Sequence, residues 1–414
     1  MSDGLSKNNL TLLEILSSAV RGEKYELRGD ENPGEIFKEA YLQTVVPAVL
    51  AALPESAVKA QGFGALIERF SVRAFRNYSE VFEAHAAVDE MMTENGIEYC
   101  ILKGCSSAYY YPDPAMREMG DVDFLVRGDC VKKAKSVIET AGYKAVDKNH
   151  PSHIAYEKEG CVRLELHFEP QGIPDGEAGR VIKEYLSDIS EKSERVTLDD
   201  ISFVKPSDFH HLIVILMHTY HHMLAEGVGL RHVFDVAFFI SRFKDKFGEL
   251  FRERLEKAGL WKFACGIYFV SQKYLGFPSY EWYNDFTNDF AEKFILDVLN
   301  GGNFGIKDSS RAMQGVMISD RGKDGVSDGG EAAQGFKSVC AAARRRYPKL
   351  YKHVLLRPLA YVAFFFRTLF RVITGKRKVP EMRSTISEAK KRKELYKNFE
   401  LFKKSDDNGD KERL

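Results

Sequence analysis

The sequence predicts a protein of mixed helices and strands, in which a compact α/β unit lies between helical regions. Before residue 95, apolar residues recur at helical spacing in three stretches: Leu10–Val20, Ala40–Leu53 and Tyr78–Met92. Short apolar runs separated by turn residues then predict strands at Tyr99–Leu102, Val122–Val126, His153–Tyr156 and Val162–Phe168. These strands and one helical stretch, Val131–Ala141, span roughly a hundred residues, which is typical of a compact α/β unit. The helical pattern returns at Ser207 and continues to about residue 300.

We expect six segments along the 414 residues. They are a helical N-terminal region (1–95), an α/β core (96–205), a helical domain (206–300), a Gly- and Asp-rich loop (301–335), a basic and apolar helical region (336–375) and a charged tail (376–414). The loop has few large apolar residues, so we expect it to be flexible. We expect the charged tail to fray.

The composition narrows the classes of partner and compartment. Lys plus Arg equals Asp plus Glu at 60 each, so no overall field attracts nucleic acid or membrane. The first ten residues lack a basic segment followed by an apolar stretch, and we therefore expect no secretory signal. The six cysteines form no Cys-x-x-Cys pair, which argues against a disulfide framework and a structural zinc site. We expect a reducing, cytoplasmic location.

The segment Leu359–Phe366 is almost purely apolar but too short to span a bilayer, which needs about 20 apolar residues. Widening the window to 354–374 admits three arginines, at positions 357, 367 and 371. The segment is apolar on most faces, which favours burial against the helical domain. The alternative is a basic amphipathic helix over 355–378 that lies on a membrane surface.

A predicted strand end at Lys103–Gly104 has the features of a phosphate-binding turn. The backbone N–H groups that follow would open a helix, and helix N-termini bind anions. Gly104 permits close approach of a triphosphate that a Cβ atom would block. Ser106 adds a hydroxyl donor.

Asp121 and Asp123 lie two residues apart in a predicted strand, so both carboxylates project to the same side. Two carboxylates on one face repel each other unless a cation neutralises them, and Mg²⁺ or Mn²⁺ suits oxygen ligands. Glu165, in a later predicted strand, offers a third carboxylate. If the two strands are adjacent, the three residues complete a site for two metals, one to activate a hydroxyl and one to hold phosphates.

Two motifs resemble a known superfamily. Leu102-Lys103-Gly104, Arg117 and Gly120–Val126 are similar to the polymerase-β-type nucleotidyltransferases, and more closely to a bacterial family of uncharacterised nucleotidyltransferases. A helical motif of that family is matched by His222, Gly227, Gly229, Arg231 and Asp235. The resemblance covers roughly residues 5–375, and Cys105 stands where the superfamily usually has Gly or Ser.

The resemblance implies an α+β fold, a small mixed β-sheet with flanking helices, and a reaction of the EC 2.7.7 type. Such an enzyme moves a nucleoside monophosphate from a nucleoside triphosphate to a hydroxyl-bearing acceptor and releases pyrophosphate. Asp121, Asp123 and Glu165 would bind the metals, and Glu165 would accept the acceptor's proton. The nucleotide contacts would be Lys103, Gly104, Ser106, Arg117 and Gly120.

Four further residues have two interpretations each. His167 shares a face with Glu165 and either orients that carboxylate or is a structural strand histidine. His222, Arg231 and Asp235 would face the substrate by the resemblance. Alternatively, Arg231 and Asp235 form an intrahelical ion pair at i, i+4.

The acceptor and two alternative functions stay open. A small molecule, a sugar, a peptide or a protein side chain would fit as acceptor, whereas the neutral net charge disfavours a long nucleic acid. One alternative is a non-catalytic nucleotide-binding scaffold or sensor with the same fold. A lesser alternative is a metal-dependent phosphohydrolase, suggested by the clustered histidines His210, His211, His218, His221 and His222. No His-Asp dipeptide accompanies them, and no carboxylate lies between Asp208 and Glu226.

Overall fold

The computed structural model describes residues 4–147, 152–170, 172–280, 282, 285–319, 346–347, 350, 356–373 and 382–402. The first helices are α1 (Lys7–Arg21), α2 (Pro33–Leu42), α3 (Val46–Ala52), α4 (Gly64–Glu94), α5 (Cys105–Ala108), α6 (Val131–Thr140) and α7 (Glu177–Leu186). The later helices are α8 (Asp208–Ala225), α9 (Leu230–Phe243), α10 (Lys246–Lys257), α11 (Trp261–Leu275), α12 (Asn288–Gly301), α13 (Arg311–Ser319), α14 (Arg357–Ile373) and α15 (Met382–Lys397). Short 3-10 turns lie at Glu55–Lys59, Pro114–Met116 and Asn303–Gly305.

Five strands form a small mixed sheet in the order β1-β2-β5-β4-β3. They are β1 (Tyr99–Ile101), β2 (Val122–Val126), β3 (Lys144–Asp147), β4 (His153–Glu157) and β5 (Leu164–His167). The β2–β5 pair is parallel, and the other neighbours are antiparallel. This arrangement confirms the α+β fold class and the four predicted strands.

A separate hairpin of β6 (Glu194–Leu198) and β7 (Ile201–Lys205) was not predicted from the sequence. Neither was β3, at the sheet edge. The residues of β6 are exposed or half-buried throughout, so the strand carries no apolar run by which to recognise it. Edge and surface strands of this kind lack the signal that buried strands carry.

One face of the sheet is buried against α4 and α6. Val122, Phe124 and Val126 point to this face from β2, and Leu164 and Leu166 join them from β5. Their helix partners include Val81, Val88 and Met92 of α4 and Ala134 and Ile138 of α6. Burying each such side chain contributes roughly 1.5–3 kcal/mol. The opposite face carries the acidic side chains.

A larger core joins the helices on both sides of the α/β unit in the sequence. The helix α1 packs against α3 and α11, and α8 packs against α9 and α13. Leu12 and Leu16 of α1, Phe234 and Phe239 of α9 and Ile267 of α11 are all fully buried in this core. The N-terminal and C-terminal helices therefore form one helical layer beside the sheet.

The periodic stretch Ala40–Leu53 is two helices, because α2 ends at Leu42 and α3 begins at Val46. Thr44, between them, has a φ of 55°, which breaks the helical path. Pro47 lies in the first turn of α3, where its missing N–H costs nothing.

The prediction of a loop over 301–335 is wrong at Arg311–Ser319, because these residues form the helix α13. The buried side chain of Arg311 lies 2.9 Å from Asp297 of α12. Gly315 has no Cβ, and a Cβ there would lie 2.2 Å from the Ala225 carbonyl oxygen, so the glycine lets α13 approach the end of α8. Residues 320–335 lie outside the described residues.

The expected frayed tail is also wrong for Met382–Lys397, which forms α15. The helix turns its charges outward and buries a face that ends at Tyr396 and Phe399. Arg392, although charged, is buried and donates hydrogen bonds to Gln314 Oε1 at 3.0 Å and to the Met223 carbonyl at 2.8 Å. Those two acceptors explain how a charged residue stabilises the packed helix.

The apolar segment Leu359–Phe366 lies in α14 and is buried on one face only. Ala360 is fully buried, whereas Leu359, Val362 and Phe366 are exposed. The expected burial therefore holds for part of the helix. Within the described residues, no helix has both the length and the apolar character needed to cross a membrane.

Gly104 joins β1 to α5 in a conformation that only glycine adopts easily, with a φ of 57°. A Cβ atom at this position would lie 2.2 Å from Nε2 of His85 on α4. His85 is fully buried, donates from Nδ1 to the Val81 carbonyl at 2.7 Å, and accepts from the Cys105 N–H at 3.3 Å. The missing side chain at Gly104 therefore makes room for a helix histidine.

We expect Gly104→Ala to lower the free energy of unfolding by roughly 2–4 kcal/mol, because a buried ring must move and the backbone is strained. Urea denaturation measures the change. Gly128→Ala is the matched control, since no atom lies within 4 Å of its added Cβ, and its effect should stay within about 0.5 kcal/mol. Equal stability of the two variants would contradict the close contact with His85.

Candidate active site

The structure brings Asp121, Asp123 and Glu165 together. In the parallel β2–β5 pair, Asp123 lies directly opposite Glu165, and Asp121 lies just before β2 on the same side. Carboxylate oxygens of the three residues lie within 4.8 Å of one another. The two strands are adjacent, which was the condition for a shared site, and the three carboxylates are close enough to share divalent cations.

Two cationic side chains neutralise Asp123. Lys103 Nζ lies 2.8 Å from Asp123 Oδ1, and His167 Nε2 donates to the same oxygen at 3.0 Å. Burial alone would raise the pKa of Asp123, but Lys103 and His167 outweigh it and hold the pKa well below its usual range. Burial opposes a charge on His167 as well, yet its bonds to Asp123 and Glu165 raise its pKa.

The other two carboxylates have opposite shifts. Repulsion from Asp123, together with burial, raises the pKa of Asp121. Burial also acts against ionisation of Glu165, but the nearby His167 lowers its pKa, with smaller effects of His153 and Lys103. A cation would relieve the repulsion at Asp121, and three carboxylates form the oxygen set that Mg²⁺ and Mn²⁺ prefer. The residues therefore fit a divalent cation.

A second group of possible ligands shares Glu165. His153 lies opposite His167 in the β4–β5 pair, and both Nε2 atoms lie 3.7 Å from Glu165 Oε2. Potential ligand atoms of the three residues lie within 4.8 Å of one another. Imidazole and carboxylate together suit transition metals such as Mn²⁺. Sequence reasoning missed His153, which the antiparallel register of the hairpin strands would have placed beside His167.

The turn after β1 uses its polar groups internally. Ser106 is fully buried, and its hydroxyl donates to the Ile101 carbonyl at 2.5 Å. The Cys105 N–H donates to His85, as described above. The expected hydroxyl donor and the first helix N–H are therefore not directed at the site. Gly120, by contrast, is exposed, with no atom within 4 Å of where its Cβ would lie.

Arg117 is buried in a two-pronged ion pair with Asp235 of α9. Its Nε lies 2.7 Å from Oδ1 and its second guanidinium nitrogen 2.8 Å from Oδ2. The Tyr111 hydroxyl donates to Oδ1 as well, at 2.7 Å. The structure thus corrects two expectations, because Arg117 is not free to meet a triphosphate and Asp235 does not pair with Arg231. Both errors arise because the partner lies 118 residues away.

Arg231 lies within electrostatic range of Asp121. It is half-buried and donates to the Glu118 carbonyl at 3.1 Å. Burial and the charge of Arg117 lower its pKa, while attraction from Asp235 and Asp121 opposes them. Lys103 and Arg163 contact the acidic group directly, since a guanidinium nitrogen of Arg163 lies 3.4 Å from Glu165 Oε1.

Three histidines of the helical layer lie together near Lys103. The ring centres of His218, His222 and His232 are 4.5, 5.3 and 5.7 Å apart in pairs. Burial lowers the pKa of each, and repulsion from Lys103 adds to the effect, so all three are neutral. Of the two groups of possible metal ligands found among the described residues, neither includes a histidine of α8. The phosphohydrolase alternative gains no support.

A narrow cleft of about 20 Å³ opens beside the acidic group. Its polar end is formed by Lys103 and His167, the two side chains that contact Asp123. Most of the wall is apolar. The lining residues are Leu102, Lys103, His167, Pro170, Leu186, Val214, Met217 and His218.

Three comparisons relate the chain to known proteins. The model of a protein family described as uncharacterised nucleotidyltransferase matches residues 30–276, more than half of the chain. No curated protein matches the sequence. A crystal structure described as an antigenic nucleotidyltransferase-like protein from Paracoccidioides brasiliensis is similar at 16% sequence identity and a TM-score of 0.31, over 47% of this chain and 88% of that one.

We expect Arg117→Ala to lower the free energy of unfolding by about 3–5 kcal/mol, because Asp235 is left buried without its partner. Arg127→Ala is the matched control, since this exposed arginine pairs with Glu98 and Asp129 and should contribute about 1 kcal/mol or less. Urea denaturation compares them. An Arg117→Ala protein as stable as the control but weaker in nucleotide binding would restore the triphosphate role.

We also expect stability to fall as the pH drops from 7 to 5. Burial lowers the pKa of His85 to about 4 and of His211 to about 3, below the ordinary 6.5. The unfolded chain then binds protons that the folded chain does not, and His85 alone costs about 2 kcal/mol over this range. His167, with its raised pKa, offsets part of the loss. Urea denaturation at pH 7 and pH 5 measures the loss of stability. An unchanged urea midpoint would contradict the conclusion that His85 and His211 are buried and neutral.

Proposed function

We propose that this chain, which belongs to the uncharacterised nucleotidyltransferase family, moves a nucleoside monophosphate from a nucleoside triphosphate to a hydroxyl-bearing acceptor. The observation that carries the proposal is the convergence of Asp121, Asp123 and Glu165 within 4.8 Å on one sheet face. Mg²⁺ or Mn²⁺ held there would neutralise phosphate charge and make the acceptor hydroxyl easier to deprotonate.

The proposed reaction is a single displacement at the α-phosphorus. The acceptor oxygen forms a bond to phosphorus while the bond from phosphorus to the bridging oxygen of the β-phosphate breaks. Pyrophosphate leaves with that electron pair, and the hydroxyl proton passes to the Glu165 carboxylate. The lowered pKa of Glu165 keeps the carboxylate ionised near neutral pH, which a proton acceptor requires.

Lys103 and Arg231 are the proposed phosphate contacts in place of Arg117. Lys103 now neutralises Asp123 at 2.8 Å, and a cation at the acidic group would release its ammonium for phosphate oxygens. Arg231 lies close enough to Asp121 for their opposite charges to attract, which makes its guanidinium a candidate for the second phosphate contact. A planar guanidinium matches phosphate oxygens better than an ammonium does.

The apolar cleft favours a small acceptor. Leu186, Val214 and Met217 form a wall that suits an apolar or planar group, whereas a long nucleic acid needs an open basic surface. The alternative, a non-catalytic nucleotide-binding scaffold, has no need of three carboxylates that repel one another.

We expect nucleoside triphosphates to raise the melting temperature only with Mg²⁺ or Mn²⁺. ATP, CTP, GTP and UTP are compared, and release of pyrophosphate is measured in parallel. Asp123→Asn should abolish the metal-dependent shift and reduce pyrophosphate release at least about 100-fold, because a buried metal ligand is lost. Asp129→Asn, which alters an exposed carboxylate on the loop after β2, should change neither.

Two outcomes would decide against the proposed enzyme or its metal site. A metal-dependent shift with no pyrophosphate release for any acceptor class would favour the scaffold. A shift that is equal without metal, or in Asp123→Asn, would rule out the proposed metal site. Arg231→Ala should weaken triphosphate binding more than monophosphate binding, whereas a purely structural arginine would affect both equally.

A further inference from the structure

The helix α14 exposes apolar side chains where a helix at a protein–water surface normally exposes polar ones. Leu359, Val362 and Phe366 follow one another at i, i+3 and i+7, and are 56%, 50% and 61% exposed. Ala360, on the other side of the helix, is fully buried. A surface helix normally turns its polar residues outward. Here Leu359, Val362 and Phe366 form an outward apolar stripe, with the exposed Arg367 beside it.

Basic residues are concentrated in the sequence around α14, and acidic residues are absent from it. Residues 332–380 contain 12 Lys and Arg and no Asp or Glu, although the whole chain has 60 of each kind. The rest of the chain therefore holds 48 basic against 60 acidic residues. A neutral protein thus consists of one segment of charge +12 and a remainder of −12. Random scatter of charges over the chain would not produce this.

We propose that α14, with the basic residues that flank it, binds the surface of an anionic phospholipid bilayer. An amphipathic helix in the interface buries its apolar face among acyl chains, while Lys and Arg meet anionic headgroups. The helix has 17 residues, about 25 Å of length, and lies flat on the surface. This inference does not depend on the proposed reaction.

RNA or a second copy of the chain would each explain only one of the two observations, the basic charge or the apolar stripe. RNA would meet the basic charge but gives no role to an aliphatic stripe of Leu359 and Val362. A second copy of the chain would cover the stripe but would bring two segments of charge +12 together. An anionic bilayer satisfies both the charge and the apolar face.

The test is flotation of the full chain with vesicles. Phosphatidylcholine vesicles that contain about one-third phosphatidylglycerol should bind at least tenfold more protein than phosphatidylcholine alone, and added salt should weaken the binding. Leu359→Gln with Val362→Gln should reduce binding at least tenfold without changing the net charge. Phe75→Gln, which alters a phenylalanine of α4 that is 75% exposed, is the matched control and should bind as the unaltered chain does.

A second variant isolates the charge. The triple variant Arg344→Gln, Arg345→Gln and Arg346→Gln removes three positive charges and should lower binding to anionic vesicles at least about threefold while leaving the stripe unaltered. Circular dichroism and the melting temperature verify that both variants fold. Equal binding to both kinds of vesicle, or to neither, would overturn the proposal. The proposal would also be overturned if the chain bound RNA and not vesicles, and if Leu359→Gln left that RNA binding unchanged. A dimer that Leu359→Gln separates into monomers would overturn it as well.

Discussion

The parallel pairing of β2 with β5 is the constraint on which the candidate site depends. Side chains alternate faces along a strand, so a slip of one residue would turn every inward side chain outward. Val122 and Phe124, buried on the back face with Leu164 and Leu166, fix the register. Two like charges at most 4.8 Å apart repel by about 3.5 kcal/mol or more at an effective dielectric of 20. Burial of the four side chains on the back face, at roughly 1.5–3 kcal/mol each, opposes that repulsion.

The same sheet also places the compensating cations. The N–H of Leu102, at the end of β1, donates to the Asp123 carbonyl at 2.8 Å, which holds Lys103 over the carboxylate. His167 follows Glu165 by two residues and so shares its face. Lys103 and His167 contact Asp123, and Arg163 lies 3.4 Å from Glu165, yet repulsion from Asp123 still raises the pKa of Asp121. A divalent cation would supply what the protein's own side chains do not.

Local patterns in the sequence were sufficient for four of the five strands of the sheet and for the pair of aspartates. Strand periodicity placed Asp121 and Asp123 on one side, but the pairing of β2 with β5 that brings Glu165 to them had to come from the structure. Contacts between distant residues could not be predicted, because nothing near Arg117 in the sequence marks Asp235 as its partner. The helix α15 was missed for a related reason, since its many charges hide a buried face that only α12 and α13 reveal.

The sequence singles out Gly104 as part of a phosphate-binding turn, but in the structure a different contact requires glycine at this position. Its position in the turn after β1 matched the expectation of a phosphate loop. In the structure its missing side chain makes room for His85, whose Nε2 then accepts the first N–H of α5. The glycine therefore serves the packing of α4 against the turn after β1.

The glycines before α9 explain how Arg231 reaches the site. A Cβ at Gly229 would lie 3.1 Å from the Gln43 carbonyl oxygen, and Gly227 has a φ of 114°, so both positions favour glycine. Without side chains there, the Leu230 N–H can donate to Gln43 Oε1 at 3.2 Å. The start of α9 is thereby held against α2. Asp235, one turn later on α9, is paired with Arg117 and so does not pair with Arg231. The two charged residues of this motif thus differ in their contacts: Asp235 ties α9 to the turn that precedes β2, and the Arg231 guanidinium donates to the Glu118 carbonyl.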